Sequence, residues 1–238
     1  MNISDLTPTH DSQRWYRRDG TGICSEVIGK TNGSPRPPTL RDARELGLLP
    51  GVTGINKIYP GSLNWWSQDI RVAGEVGTRR HARIEAFHKK HATMIDKADE
   101  PFVMPYYEWY AKTVYAVLEA ESVAVSLEHG YAGTMDLHCC LQRQISDNDG
   151  LERCMTAVVD LKNRKNPATY DTDAMQLAAY RRAVGADVGI SVILGTAQPE
   201  ILVKEWTPAE DELAWTRFSL CLALWKSANG YYPESWKE

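Results

Sequence analysis

The chain has 238 residues, a formal net charge of −4 and 43% hydrophobic residues. This length and composition favour one globular domain with elaborations, and no apolar run approaches the ~20 residues of a membrane-spanning helix. The five cysteines include no C-x-x-C pair, which disfavours a disulfide framework, a zinc site and an iron–sulfur cluster. We therefore expect a cytoplasmic protein without a membrane partner.

The N-terminal quarter is interpreted as a separate layer. Residues 1–60 carry no sustained hydrophobic period, so we expect an arm or flap on a main domain that spans residues 61–238. Inside the arm, Thr39 is a suitable N-cap for a short helix that ends at Gly47.

The main domain begins with helical patterns. The segment from about 62 to 96 predicts a helical region that is broken near Gly74 to Gly77. Its second part places His81 on the inward-facing stripe, where a lone histidine is more often a core residue than a ligand. A second helix, rich in Tyr and Trp, is predicted over residues 105–120.

Three strands follow, since apolar and polar residues alternate. They are predicted at 123–127, 131–141 and 156–162, with a long hairpin loop over 142–152. A helix that is capped by Asp171 or Thr172 and runs to Val184 is predicted next. Two strands at 188–194 and 201–206 and a terminal helix at 208–227 complete the chain. This order predicts an α/β (α+β) fold in which helices flank a mixed central β-sheet.

Charged residues stand at the ends of two of the strands. Asp160 and Lys162 share one face of their strand, and Asp136 lies on the polar face of the strand before it. An exposed Asp–Lys pair usually contributes little to stability. The apolar run before Asp160, however, predicts a buried site, where a charge is unfavourable unless it is paired or binds a metal. Two carboxylates suit Mg²⁺ or Mn²⁺, and the backbone carbonyl of Leu161 is a candidate for an additional oxygen ligand. An ammonium beside them suits phosphodiester hydrolysis.

Four short segments together resemble the motifs of one family. They are Gly77-Thr78-Arg79-Arg80-His81, Gly133-Thr134-Met135-Asp136, Asp160-Leu161-Lys162 and Gln176-Leu177-Ala178-Ala179-Tyr180. Their types and order resemble the PD-(D/E)XK nuclease superfamily, and most closely its RecB-like and phage exonuclease branch. The resemblance implies a restriction-endonuclease-like αβββαβ core. The three-cysteine cluster of the iron–sulfur relatives is missing, so the expected cofactor is Mg²⁺ or Mn²⁺ without an iron–sulfur cluster.

The resemblance also implies roles for the motif residues. The expected metal ligands are His81, Asp136, Asp160 and the Leu161 carbonyl. The expected catalytic residues are Lys162, Asp136, Asp160, Glu85, Gln176 and Tyr180. Gln176 and Tyr180 are expected to position DNA or the Lys162 region. Whether His81 or Glu85 is the ligand from the first helix stays open.

Basic and aromatic residues near the motifs are candidates for DNA contacts. The basic candidates are Arg79, Arg80, Arg164, Lys165 and Arg181, and the stacking candidates are Trp65 and Trp66. The alternatives are solvated helix faces for the charges and core packing for the tryptophans.

We therefore expect a metal-dependent deoxyribonuclease, most simply an exonuclease that acts on DNA ends in phage or bacterial recombination, repair or replication. Its partner is DNA, either single-stranded or duplex with an end, and a homo-oligomer is compatible with the sequence. The alternatives are a restriction-like or structure-selective endonuclease and a catalytically silent nucleic-acid-binding module.

Overall fold

The computed structural model describes residues 13–29, 33–60, 68–90, 97–146 and 152–235, with side chains omitted at 68–77 and 235. Trp65 and Trp66 lie outside the described residues, as do residues 147–151. No helix within these ranges is both long and apolar enough to cross a membrane.

The N-terminal segment contains short elements that join the main core. They are β1 (Trp15–Tyr16), β2 (Val27–Ile28), β3 (Pro35–Arg36), α1 (Leu40–Leu46), β4 (Leu49–Pro50) and α2 (Val52–Asn56). Thr39 caps α1 and Gly47 ends it with φ 65°, which confirms the predicted helix. The ring of Trp15 packs 6.0 Å from that of Trp225 near the C-terminus. The segment is therefore integrated more closely than an arm or flap.

A five-stranded mixed sheet forms the centre of the molecule. The elements after residue 60 are α3 (Gln68–His88), α4 (Glu100–Thr113), β5 (Val114–Ser126), β6 (Tyr131–Ser146), β7 (Glu152–Arg164), α5 (Asp171–Val184), β8 (Val188–Gly195), β9 (Ile201–Glu205) and α6 (Pro208–Asn229). A short 3-10 helix follows at Pro233–Ser235. The sheet order is β5-β6-β7-β8-β9, with β7 and β8 parallel and the other neighbours antiparallel. The predicted mixed sheet flanked by helices is confirmed.

Two hydrophobic clusters cover the two faces of the sheet. One joins α5 and α6 to the N-terminal elements, with Met175 and Phe218 fully buried. The other joins α3 and α4 to the sheet through Ile84 and Val103. Burial of this apolar surface supplies most of the driving force for folding, and it fixes α3 and α5 on opposite sides of β6 and β7.

Three predicted boundaries are wrong. Helix α3 is continuous through Gly74 to Gly77, because a helical glycine costs only about 1 kcal/mol, which the rest of a long helix offsets. The helix predicted to reach residue 120 ends at Thr113, because the β-branched Val114 and Val117 pair with β6 instead.

The third error concerns the hairpin between β6 and β7. Residues that we expected in a long loop over 142–152 extend both strands, with Gln144 opposite Cys154 and Ser146 opposite Glu152. Backbone pairing of this kind does not require apolar side chains, so the polar sequence concealed it.

Candidate metal centre

Strand β7 places a buried carboxylate beside an ammonium. Asp160 follows the buried residues Val158 and Val159 and is itself only 1% exposed. The Nζ of Lys162, two residues on and therefore on the same face, donates a hydrogen bond of 2.7 Å to Asp160 Oδ1. The predicted proximity of the two side chains is present in the structure.

Helix α5 adds an amide and a phenol to this pair. The helix ends at Gly185, which adopts φ 69°, and its residues Gln176 and Tyr180 lie one turn apart on the same face. Gln176 Nε2 donates to Asp160 Oδ1 at 2.9 Å, while its Oε1 accepts from Lys162 Nζ at 3.4 Å. The hydroxyl of Tyr180 lies 3.3 Å from Gln176 Nε2.

One oxygen of Asp160 is left without a partner. Its Oδ1 accepts from both Lys162 and Gln176, whereas its buried Oδ2 has no hydrogen-bond partner among the described residues. A buried carboxylate oxygen without a donor is unfavourable unless a cation or another group compensates it. The vicinity of Asp160 Oδ2 is therefore suited to a cation.

Asp136 connects β7 to helix α3. Its Oδ2 accepts the backbone N–H of Leu161 at 2.6 Å, which holds its carboxylate next to Asp160. Its Oδ1 lies 3.4 Å from His81 Nε2. The histidine of the first motif and the aspartate of the second are thus neighbours.

A further acidic residue, which the sequence analysis missed, also contacts His81. The Nε2 of His81 lies 2.9 Å from Glu121 Oε1, on strand β5. Ligand atoms of His81, Glu121 and Asp136 all lie within 4.8 Å of one another, close enough to hold one metal ion. Residue 121 directly follows the segment that the sequence predicts as a helix, so the sequence offers no strand register that would place it.

Burial and mutual charge set the protonation of these groups. Hydrogen bonds with Asp136 and Glu121 raise the pKa of His81 to about 10. Burial raises the pKa of Asp160, and the charge of Lys162 opposes this. Burial also acts to lower the pKa of Lys162, but Asp160 and Asp136 outweigh it and the pKa lies above its ordinary value. Lys162 is therefore an ammonium that donates, and not a base.

Glu85 does not join the cluster. Its carboxylate accepts from Lys89 Nζ at 2.6 Å, one turn along α3. Of the two candidate ligands in the first helix, the structure brings His81 to Asp136 and leaves Glu85 in a surface ion pair.

Most of the arginines proposed for DNA contacts have structural partners instead. Arg79 and Arg80 both bind the buried Asp99, with shortest distances of 2.6 and 3.2 Å. The guanidinium of Arg80 also lies over the ring of Phe102, 3.8 Å from its centroid. These two guanidiniums neutralise a carboxylate that is only 1% exposed, which does not fit the prediction that they are free to bind phosphates.

The arginines of α5 and β7 follow the same pattern. Arg164 forms a bidentate pair with the buried Asp173, and Arg181 forms one with Asp211 on α6. Lys165 is the member of the predicted set whose side chain is exposed without an ion pair among the described residues. Lys165 thus has no acidic partner among the described residues, and the phosphate contacts stay a prediction.

Comparison with known proteins adds little to this geometry. No family model matches the chain, and no curated protein matches it. Among solved structures, the chain is similar to the crystal structure of SSO0001, with 17% identical residues, coverage of 61% of this chain and 72% of that chain, and a TM-score of 0.25.

Proposed function

We propose that the chain is a Mg²⁺- or Mn²⁺-dependent deoxyribonuclease of the PD-(D/E)XK type, most simply an exonuclease that acts on DNA ends inside a phage-infected or bacterial cell. The observation that carries the proposal is the buried Asp160 Oδ2 without a partner. It lies in a cluster that also contains the ammonium of Lys162. Four separate elements, α3, β6, β7 and α5, contribute to this cluster.

The order of elements supports the same proposal. A helix, three antiparallel strands, a helix and a parallel strand follow one another as α3, β5 to β7, α5 and β8, with α4 inserted before β5. This is the αβββαβ sequence that the motif resemblance implies. The four motif segments stand on α3, β6, β7 and α5.

The donor set fits a hard divalent cation. Asp136 and Asp160 offer carboxylate oxygens, the ligand type that Mg²⁺ and Mn²⁺ both prefer, and His81 adds an imidazole nitrogen, which suits Mn²⁺ better than Mg²⁺. Such a cation, when bound, supplies Lewis-acid activation of the phosphodiester and lowers the pKa of a coordinated water. The cysteines do not contribute, since His81, Glu121 and Asp136 form the cluster of possible ligands found in the described part of the chain.

The other side chains act directly on the substrate or hold the groups that do. Lys162 is positioned to donate a hydrogen bond to a phosphate oxygen as negative charge develops on it. Gln176 bonds to both Asp160 and Lys162 and fixes their separation, while Tyr180 supports Gln176. The exposed Lys165 lies three residues beyond Lys162, just after the end of β7, and is available for a phosphate beside the scissile one.

The test is digestion of 5′- and 3′-labelled single-stranded and duplex DNA with Mg²⁺, Mn²⁺ or EDTA. We expect metal-dependent release of nucleotides from linear DNA and no cleavage of a covalently closed circle. Nicking of the circle would show that the protein is an endonuclease on the same fold and not an exonuclease.

Asp160→Asn tests the site itself, because it keeps the shape of the side chain and removes its charge. We expect loss of cleavage in a variant that still unfolds cooperatively. Cleavage at the wild-type rate by Asp160→Asn, or no cleavage of any DNA by the wild type, would reject the proposed function.

A further inference from the structure

Glu121 and Asp136 face each other across two antiparallel strands. The register pairs Ala120 with Leu137 and Ser122 with Met135, so the residues between them, Glu121 and Asp136, are opposite each other. Like charges in directly opposed positions destabilise a sheet. The arrangement therefore requires a positive group between the two carboxylates, and the imidazole of His81 lies 2.9 Å from one and 3.4 Å from the other.

The backbone of Glu121 is in an unusual conformation. Its φ is +51°, in the left-handed region that residues with a Cβ rarely adopt. Lys90 is the other non-glycine residue with positive φ in the described part of the chain, but Lys90 follows the end of a helix whereas Glu121 lies within a paired strand. Such strain persists where the surrounding structure holds it, and strained residues concentrate at functional sites.

Asp160, the neighbour of Leu161 on β7, provides an independent indication that a cation is needed close to Asp136. Its Oδ2 is buried without a partner, and the next residue along β7, Leu161, donates its N–H to Asp136. Asp160, which carries the oxygen without a partner, is therefore the immediate neighbour of Leu161, whose N–H binds Asp136. Neither Glu121 nor His81 supplies a hydrogen bond to it.

We propose that Glu121 is a metal ligand, which together with His81 and Asp136 binds a divalent cation between β5, β6 and α3. The inference deepens the proposed function, on which it rests for the identity of the site. An imidazole nitrogen beside two carboxylates favours Mn²⁺ over Mg²⁺, because Mg²⁺ prefers oxygen ligands and binds nitrogen poorly. Glu121 therefore contributes to the choice of metal as well as to its retention.

The test is the affinity of the whole chain for Mn²⁺. It is measured by calorimetric titration and by the electron paramagnetic resonance signal of free Mn²⁺. Glu121→Gln preserves the size of the side chain and removes its charge. We expect Mn²⁺ affinity to fall by at least about tenfold, with a smaller change for Mg²⁺. The matched control is Glu119→Gln, on the same strand, whose carboxylate accepts from Ser122 Oγ at 2.7 Å. The control is expected to bind Mn²⁺ like the wild type.

Thermal unfolding in EDTA provides a second readout. Removing one of two opposed carboxylates is expected to leave Glu121→Gln at least as stable as the wild type without metal, and to reduce the stabilisation that added Mn²⁺ gives. If Glu121→Gln does not fold, Glu121→Asp replaces it, because the shorter side chain withdraws the oxygen and weakens Mn²⁺ binding in the same direction.

The outcomes separate this inference from the proposed function. Wild-type Mn²⁺ affinity in Glu121→Gln, combined with loss of DNA cleavage in Asp160→Asn, would overturn the role of Glu121 and leave the nuclease proposal in place. Weakened Mn²⁺ binding in Glu121→Gln, in a protein that cleaves no DNA, would support the metal ligand and reject the nuclease.

Discussion

Gly133 on β6 and Tyr180 on α5 are in direct contact, because a side chain at Gly133 would occupy the space of the tyrosine ring. A Cβ built on Gly133 lies 2.6 Å from Tyr180 Cε1 and 2.8 Å from its hydroxyl oxygen. Tyr180 is 2% exposed, and its hydroxyl is 3.3 Å from Gln176, which donates to Asp160. The missing side chain on β6 therefore allows α5 to approach and to contact Asp160 on β7 through Gln176.

Gly133→Ala is expected to destabilise the protein by about 1–3 kcal/mol, the usual effect of overpacking a filled core. It also displaces Tyr180 and with it Gln176, so turnover falls. Urea unfolding and DNA cleavage measure the two effects. Tyr180→Phe is the control, because it keeps the ring and removes only the hydroxyl, and it is expected to be the milder change. Full stability in Gly133→Ala would show that the ring moves freely and that the contact is unimportant.

Lys162→Ala is expected to reduce turnover by about 10²–10⁴-fold, which is typical for loss of an electrostatic or proton-transfer group. The affinity for Mn²⁺ is expected to be retained, because an ammonium is not a ligand and its removal leaves the Asp160 carboxylate with one fewer partner. Single-turnover cleavage at saturating metal and Mn²⁺ titration provide the two measurements. Lys112→Ala, at an exposed lysine on α4, is the control for nonspecific loss of positive charge. Near wild-type turnover in Lys162→Ala would refute its catalytic role.

The parts of the site that local sequence patterns encode were predictable. Alternation along a strand predicts that Asp160 and Lys162 lie on one face. Four-residue spacing on a helix predicts the same for Gln176 and Tyr180. Glu121 was not predictable in this way, because its place in the cluster depends on a cross-strand register and on a positive φ. Neither is visible in local hydrophobic periodicity.

The partners of the arginines were hidden for a similar reason. The acceptor for Arg164 is nine residues away, and that for Arg181 is 30 residues away on another helix. A basic cluster read along the sequence resembles a phosphate-binding surface until the fold shows a buried carboxylate behind each guanidinium. The strand boundaries failed in the same manner, since pairing of β6 with β7 continues through polar residues.

Arg164→Ala is accordingly expected to affect stability more than DNA binding. Its side chain is 18% exposed and that of Asp173 only 3%, so removing the arginine leaves a buried, unpaired carboxylate at a cost of about 3–5 kcal/mol. The double variant Arg164→Ala with Asp173→Ala is expected to recover part of this loss. Urea unfolding of Arg164→Ala, Asp173→Ala and the double variant forms the measurement. An unchanged free energy of unfolding in Arg164→Ala, with weakened DNA binding, would show that Arg164 contacts DNA and does not stabilise the fold.

Lys165→Ala is the complementary change at the next residue, just after the end of β7. Its exposed side chain has no ion pair to lose, so the free energy of unfolding is expected to stay the same. If the ammonium contacts a phosphate, DNA affinity falls and the slope of its logarithm against log salt concentration decreases by about one. An unchanged salt dependence in a fully folded Lys165→Ala would show that Lys165 does not contact a DNA phosphate.

His88 is expected to make stability depend on pH. Its Nε2 lies 2.6 Å from Tyr106 Oη in the core between α3 and α4, and burial lowers its pKa from 6.5 to about 4. Below pH 6.5 the unfolded chain binds a proton that the folded chain does not, so the free energy of unfolding decreases as the pH falls towards 4. The decrease from this residue is at most about 1.4 kcal/mol for each pH unit. His88→Gln retains a polar group for Tyr106 but cannot titrate, so its stability is expected to vary less over the same range. Urea unfolding of both proteins in EDTA between pH 7 and pH 4.5 measures the difference, and parallel curves for the two would show that His88 is not the titrating group.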